Sequence, residues 1–323
     1  MSIRFFLLPA VIALMIACSS KKPAGDKPEI RLMTLAPGHF HAALVQKTMY
    51  DGVSPVVHVY APAGDELEDH LRRIESYNSR DENATAWQER VYAGEDYLAQ
   101  MLTERPGNVV VIAGNNRRKM EYIKASVDAG LHVLADKPMC IDRDGFELLK
   151  QAFVSAEKNG VLLYDIMTER YEITTILQKV LANTPELFGE LIKGSEETPA
   201  ITKESVHHFF KYVSGNPLKR PAWFFDTAQQ GEGIVDVSTH LVDLVQWECF
   251  PEQIIDYLSD VEMLSARRWP TILSRDQFNR VTQLDGYPDF LKPNVKNDRL
   301  EVFSNGEFIY RLKGVHAKVS VIW

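Results

Sequence analysis

Short apolar runs alternate with helical stretches along the first half of the chain. The runs predict buried strands at residues 30–35, 56–60, 108–113, 131–135 and 161–164. A helical spacing of apolar residues predicts helices at residues 42–50, 117–129 and 146–158. Short buried strands separated by helices form parallel β-α-β units that are covered on both faces. We therefore expect an α/β fold with a Rossmann-type, doubly wound parallel sheet over residues 29–167, whose ligands lie beyond the carboxyl ends of the strands.

The alternation stops near residue 168, and the second half predicts a different architecture. Helices are predicted at residues 173–181 and 234–247, and strands at 254–258, 261–266, 300–303 and 307–312. The last two strands flank Ser304-Asn305-Gly306, and an Asn-Gly pair is a strong hairpin signal. We expect a substrate-binding α+β domain over residues 168–323 with a mainly antiparallel sheet, which ends in mid-strand as a truncated sheet would. Residues 65–90 are charged and predict a solvated excursion.

The extreme N-terminus has the pattern of a targeting segment. Arg4 precedes an apolar run over residues 5–17, which is shorter than the roughly 20 residues of a membrane-spanning helix. The run ends in Met-Ile-Ala-Cys, which resembles the lipobox of bacterial lipoproteins, with Cys18 as the lipidated residue. We predict a signal peptide at residues 1–18, a polar tether at 19–28 and a lipid-anchored protein of the bacterial cell envelope that faces the periplasm. An uncleaved anchor or a buried first strand is the alternative.

Charge and cysteine content narrow the possible partners. The net charge of −8 gives no electrostatic reason to expect nucleic acid. The roughly 300 residues after the tether suffice for two domains with cores of their own. Cys140 and Cys249 show no pattern of paired spacing, so we expect two thiols rather than a disulfide.

Two stretches place reactive side chains where ligands are expected. Asp136, Lys137 and Pro138 come directly after the predicted strand at 131–135, where the amine can act as an acid, a base or an electrostatic anchor. Asp236 and His240 are four residues apart and so share one face of a predicted helix. A polar stripe on an otherwise apolar helix faces solvent or a cavity. The alternatives are a solvated lysine at a strand end and a buried histidine with a structural aspartate.

These stretches resemble the Gfo/Idh/MocA family of NAD(P)-dependent sugar oxidoreductases. The fourth strand of that family runs into Glu-Lys-Pro, and here Asp136 replaces the glutamate. A second family hallmark leads from a tryptophan segment and a glycine cluster into a helix with Asp-x-x-x-His and a further Asp. The residues that match it, with Glu232 in place of a middle glycine, are Trp223, Asp226, Gly231, Gly233, Asp236, His240 and Asp243.

The resemblance implies that Lys137, Asp236 and His240 are catalytic and converge on a sugar hydroxyl beside the nicotinamide. His240 would remove the hydroxyl proton, and Lys137 would stabilise the developing alkoxide. Asp236 would orient the imidazole or bind a neighbouring hydroxyl. The implied substrate-binding residues are these three together with Arg170 and Trp223.

The first strand-to-helix turn, in the stretch TLAPGHFHAAL, carries the implied cofactor site. Where the family has Gly-x-Gly-x-x-Gly, this chain has Ala36, Gly38 and His41. Gly38 still allows the backbone to approach a pyrophosphate. No arginine is placed for a 2′-phosphate, so we expect NAD, with NADP as the alternative. The implied cofactor-binding residues are Ala36, Gly38, His39, Phe40, His41, Asn116, Asp136, Lys137 and Pro138.

A rival interpretation treats His39 and His41 as metal ligands on a first barrel strand. Lys137, His207 or His208, and Asp236 would complete a two-metal hydrolase. The chain is short for an eight-stranded barrel and its alternation ends after five strands, so we expect no metal.

The export signal bears on turnover, because we expect no exchangeable NADH pool outside the cytoplasm. Arg4 is a single arginine and does not indicate twin-arginine export of a folded protein. We therefore expect a captive cofactor that is recycled within each turnover, as in a redox-neutral glycosidase, an epimerase or a sugar-sugar oxidoreductase. A net dehydrogenase comes next, and a non-catalytic carbohydrate-binding lipoprotein is the alternative from another class. We also expect a homo-oligomer that associates through the C-terminal sheet.

Overall fold

The computed structural model describes residues 30–213 and 215–323. The predicted signal peptide, the tether and Cys18 lie outside the described residues. Within the described part of the chain, no helix is long and apolar enough to span a membrane. Cys140 and Cys249 are both free thiols and half-buried.

The first half forms a six-stranded parallel sheet. Its strands are β1 (Leu32–Leu35), β2 (Val56–Ala61), β3 (Gln88–Ala93), β4 (Val109–Ile112), β5 (His132–Asp136) and β6 (Leu163–Ile166). Its helices are α1 (His41–Leu44), α2 (Asp65–Asn78), α3 (Tyr97–Glu104), α4 (Lys119–Asp128) and α5 (Arg143–Asn159). The strand order β3-β2-β1-β4-β5-β6 is that of a doubly wound Rossmann sheet. The predicted fold class of this half is confirmed.

Two local predictions in this half are wrong. Residues 65–90 are not a solvated excursion, because they contain α2 and the start of β3. β3 is an edge strand whose side chains are mostly exposed, so it lacks the apolar run that marks a buried strand. The helix predicted at residues 42–50 is reduced to the single turn of α1.

The second half forms a mixed sheet beside a long helix. Its helices are α6 (Ile173–Ala182), α7 (Pro185–Phe188), α8 (Thr227–Gln230), α9 (Gly233–Cys249) and α10 (Arg275–Thr282). Its strands are β7 (Ile201–Val206), β8 (Tyr212–Val213), β9 (Asn216–Pro217), β10 (Val261–Ser274), β11 (Val295–Lys296), β12 (Arg299–Leu312) and β13 (Val315–Ile322). The order is β10-β12-β13-β7, with only β13 and β7 parallel. The predicted α+β domain with a mainly antiparallel sheet is confirmed.

The hairpin predicted at Ser304-Asn305-Gly306 is wrong, because β12 runs straight through it. Asn305 pairs with Trp269, and Gly306 with Arg268, in the middle of the β10–β12 ladder. The chain reverses instead at Lys313 and Gly314, whose φ angles are +50° and +82°. The strand predicted at 254–258 is also absent from the described structure, and β7 was not predicted.

Close packing of α9 on the sheet explains the glycine within β12. A Cβ at Gly306 would collide with Ile234 of α9 and would lie 2.9 Å from the carbonyl oxygen of Arg267. The apolar face of α9 continues with Val237 and Leu241, which pack against β13. Because its apolar face packs on this sheet, α9 directs its polar face, with Asp236 and His240, toward the parallel sheet of the first half.

Candidate active site

Lys137, Asp236 and His240 line one pocket between the two halves of the chain. Lys137 follows the last residue of β5, while Asp236 and His240 come from the first two turns of α9. The pocket has a volume of about 240 Å³. Its lining also includes His39, Phe40, His41, Leu44, Thr168, Glu169, His207, Lys211, Arg220 and Val237.

Lys137 and Asp236 form a buried ion pair in the lining of this pocket. Nζ of Lys137 donates to Oδ1 of Asp236 at 2.8 Å and to its backbone oxygen at 2.7 Å. Nε2 of Gln230 donates to the same carboxylate at 3.1 Å. Burial alone would raise the pKa of Asp236, but the Lys137 ammonium outweighs it and brings the pKa to about 2. The carboxyl group of Asp236 is therefore ionised at neutral pH.

His240 is a neutral imidazole beside this pair. Burial, reinforced by the Lys137 ammonium, lowers the pKa of His240 to about 3. Its Nδ1 atom is buried and has no hydrogen-bond partner among the described residues. A neutral ring with an unused nitrogen can accept a hydrogen bond from a bound hydroxyl.

A second cluster lies where the β1–α1 turn meets the end of β5. Nδ1 of His41 lies 2.8 Å from Oδ1 of Asp136, and Nδ1 of His39 lies 3.1 Å from Oδ2. Burial would raise the pKa of Asp136, but the two imidazoles hold it well below its usual range. Burial lowers the pKa of His39 to about 4. The carboxylate of Asp136 therefore contacts both imidazole rings, one with each oxygen.

The β1–α1 turn is packed tightly on the end of β4. Ala36 has a φ of +47°, in the left-handed region. The amides of Gly38 and His39 both donate to the carbonyl of Ala113, at 3.0 and 3.1 Å. A Cβ at Gly114 would lie 2.9 Å from the amide nitrogen of Gly38, so two backbones meet here without room for a side chain. The small residues of this turn allow close packing, as in a dinucleotide-binding turn, but the amides of Gly38 and His39 are engaged by Ala113.

A cavity of about 280 Å³ lies beside this turn, at the ends of β1, β2 and β4. Its lining includes Ala36, Ala61, Glu66, Asn115 and Arg117. The sequence showed no acid at the end of the second strand, yet Glu66 supplies one from the first turn of α2, where burial raises its pKa. A carboxylate can accept hydrogen bonds from the ribose hydroxyls of a dinucleotide. With the tight turn, it makes this edge of the sheet fit a nicotinamide dinucleotide.

Three predicted ligand residues are engaged by protein partners. Arg170 makes a bidentate ion pair with Asp243, and neither residue is among those that line the pocket of Lys137. Nε1 of Trp223 donates a hydrogen bond to the carboxylate of Glu66. Both side chains line a neighbouring cavity of about 300 Å³, together with Gly38, His39 and Phe40.

The third of these residues, Asn116, joins the two halves of the chain. Its Nδ2 donates to the backbone oxygen of Gln230 at 2.8 Å. The preceding Asn115, not Asn116, is the asparagine that lines the cavity beside the turn. The neighbouring backbone is held by Lys119, whose Nζ donates to the carbonyls of Asp136 and Pro138 at 3.1 Å each. No local pattern in the sequence marked Lys119.

Comparison with known proteins identifies the family. Residues 38–165 match the GFO_IDH_MocA model, described as "Oxidoreductase family, NAD-binding Rossmann fold". Residues 177–323 match the model described as "Putative oxidoreductase C terminal domain". A crystal structure described as a "putative oxidoreductase" from Parabacteroides merdae is 58% identical, with a TM-score of 0.89 over 92% of this chain and 67% of that one. The chain belongs to the Gfo/Idh/MocA oxidoreductase family.

More distant structures share the fold. GenD2 from gentamicin A biosynthesis, solved with NAD, is 17% identical, with a TM-score of 0.56 over 94% of this chain and 69% of that one. The WlbA dehydrogenase from Bordetella pertussis, solved with NADH and UDP-GlcNAcA, is 16% identical, with a TM-score of 0.56 over 93% and 68%. No curated protein matches the chain.

The family and fold decide two of the questions that the sequence raised. The family supports a nicotinamide cofactor and an oxidoreductase. The barrel hydrolase interpretation is wrong, because the sheet that carries His39 and His41 is open and six-stranded. Asp236 is moreover paired with Lys137 rather than with either histidine.

Proposed function

We propose that this protein transfers hydride between a hydroxyl-bearing carbon of a carbohydrate and NAD. The observation that carries the proposal is the single pocket in which Lys137, Asp236 and His240 meet beside the β1–α1 turn. A bound nicotinamide supplies the hydride acceptor. Sugar specificity is inferred from the family resemblance and from the nucleotide sugar bound by the WlbA neighbour.

Each of the three residues has a distinct role in this proposal. Neutral His240 takes the proton from the sugar hydroxyl. The Lys137 ammonium stabilises the negative charge that develops on the same oxygen. Asp236 binds Lys137 instead of the imidazole, so its role is to hold the amine in place.

The preference for NAD rests on Glu66. Its carboxylate lines the cavity beside the turn. There it would accept hydrogen bonds from the ribose hydroxyls of NAD and repel the 2′-phosphate of NADP. Arg117 lines the same cavity and makes NADP the alternative cofactor. Ala36, Gly38 and the residues up to His41 would flank the pyrophosphate, with the nicotinamide beside Lys137.

We further propose that the cofactor stays bound and is recycled within each turnover, as a redox-neutral enzyme requires. Native mass spectrometry of gently purified protein tests this proposal, because a captive NAD or NADH would appear as added mass. Protein that carries no nucleotide and does not bind added NAD would contradict it. That result would favour a carbohydrate-binding protein without redox chemistry, which the engaged amides of Gly38 and His39 support.

The proposed compartment is the cell envelope, with a lipid on Cys18 as the membrane anchor. Cys18→Ser should abolish incorporation of radiolabelled palmitate and move the protein from the detergent phase to the aqueous phase in Triton X-114 partitioning. Cys140→Ser is the matched control and should leave both properties unchanged. Incorporation that persists in Cys18→Ser would rule out this anchor. Inside the envelope we propose a homo-oligomer through the C-terminal sheet and no nucleic-acid partner.

A further inference from the structure

The side chains of His39, His41 and Asp136 form a cluster that has no proton-transfer role in the proposed hydride transfer. One donor atom from each residue lies within 4.8 Å of the other two. Asp136 and His41 are buried, with 3% and 6% of their surface exposed. Two imidazoles and one carboxylate form a donor set that divalent zinc and its neighbours in the first transition row prefer.

The contact between His39 and Asp136 is not an ordinary hydrogen bond. Nδ1 of His39 lies only 3.1 Å from Oδ2 of Asp136, yet this nitrogen makes no hydrogen bond with acceptable geometry in the described structure. A ring that approached to donate a proton would align its N–H with the oxygen. The short distance without that alignment is expected when donor atoms surround a common point.

Within residues 30–213 and 215–323, no lysine or arginine side chain forms an ion pair with this carboxylate. The Lys137 ammonium is bound to Asp236, and the Lys119 ammonium donates to the backbone carbonyls of Asp136 and Pro138. The side chain of Asp136 contacts only the two histidines among the hydrogen bonds and ion pairs of the described residues. A buried carboxylate is costly unless a cation or several hydrogen-bond donors satisfy it.

We propose that His39, His41 and Asp136 bind one divalent metal ion of the zinc class. Bonds of about 2.0–2.2 Å from one ion reach donors that lie this close together after small side-chain movements. His39 and His41 line the pocket of Lys137 and His240, so the remaining coordination positions face that pocket. This site does not depend on the proposed hydride transfer.

Zinc binding to the tag-free, full chain tests the site. Protein treated with EDTA and dialysed is titrated with ZnCl₂ by calorimetry, and untreated protein is assayed for metal by plasma mass spectrometry. We expect one equivalent of Zn²⁺ per chain in the titration. Asp136→Asn and His41→Gln should each weaken binding by about 10-fold to 100-fold or more. His58→Gln removes a half-buried histidine of β2 outside the cluster and should bind like the wild type.

Two outcomes would overturn the site: no zinc binding by wild-type protein, or binding that both cluster variants leave unchanged. If those variants do not fold, the visible spectrum of Co²⁺ added to wild-type protein decides. Visible absorption bands of Co²⁺ with nitrogen ligands and a low coordination number would support the site. A spectrum of hydrated Co²⁺ alone would reject it. NAD binding is measured on the same preparations, so that a loss of zinc binding is distinguished from a loss of NAD binding.

Discussion

At the scale of single residues, the ion pair of Lys137 and Asp236 connects the two halves of the chain. Lys137 belongs to the end of β5 and Asp236 to α9, and both side chains are buried. Removing one partner of such a pair leaves an uncompensated charge and costs about 3–5 kcal/mol. A loss of activity on mutating either residue would therefore combine chemistry with stability. His240 is the cleaner probe.

His240→Ala removes the proposed base without breaking a hydrogen bond, because Nδ1 of His240 has no partner among the described residues. We expect the rate of hydride transfer to fall by about 10²-fold to 10⁴-fold, which is the usual contribution of a general base. Sugar binding should change little. The measurement is the single-turnover change in nicotinamide absorbance with a panel of sugars, alongside calorimetric sugar binding. A variant that keeps the wild-type rate would remove His240 from the mechanism, and His58→Ala serves as the control.

At the scale of elements, the contact of α9 with β12 determines where the polar face of the helix points. Gly306 lies where Ile234 approaches the strand, and Gly233 at the start of α9 lies against Ser304. Asp236 and His240 follow on the same helix. A change in this contact would move both side chains relative to Lys137.

Gly306→Ala should destabilise the protein by about 1–3 kcal/mol, as overpacking of a close contact does. The new Cβ would collide with Ile234 and the backbone of Arg267. Urea denaturation followed by circular dichroism measures the change. Gly286→Ala is the matched control, because no atom lies within 4 Å of its added Cβ. Equal stability of the two variants would show that the helix–strand contact is looser than the structure indicates.

At the scale of the whole molecule, four histidines with lowered pKa values couple stability to pH. Burial lowers the pKa of His39, His70 and His207 to about 4, and that of His240 to about 3, from an ordinary value of 6.5. The unfolded chain therefore binds protons in this range that the native state does not bind. Burial raises the pKa of Glu89 to about 7, so this carboxyl opposes the effect of one histidine.

The free energy of unfolding should fall as the pH is lowered from 6.5 toward 4, by up to about 1.4 kcal/mol per pH unit for each uncompensated proton. Urea midpoints in EDTA at about pH 7 and about pH 5 measure the loss. His70→Met should make the loss smaller, because both nitrogens of His70 are buried without a partner in the described structure. A midpoint that is constant or rises toward acid pH would contradict the expected proton uptake.

The sequence by itself determined the fold class, because local periodicity and strand-end position are properties of neighbouring residues. It predicted Lys137 beyond a buried strand and the shared face of Asp236 and His240 on a helix. Gly306 shows the limit of such reasoning, since Asn-Gly signals a turn locally while the approach of Ile234 requires a glycine for another reason.

Only the tertiary structure decided which side chains are partners. The sequence placed Arg170 and Asn116 among the ligand residues, but their best partners, Asp243 and Gln230, lie 73 and 114 positions away along the chain. Glu66 reached the turn from a helix whose sequence looked like solvated loop. His41 and Asp136 met across 95 positions. Hydrogen bonds and ion pairs depend on distances in space, and those distances are set when distant strands and helices pack together.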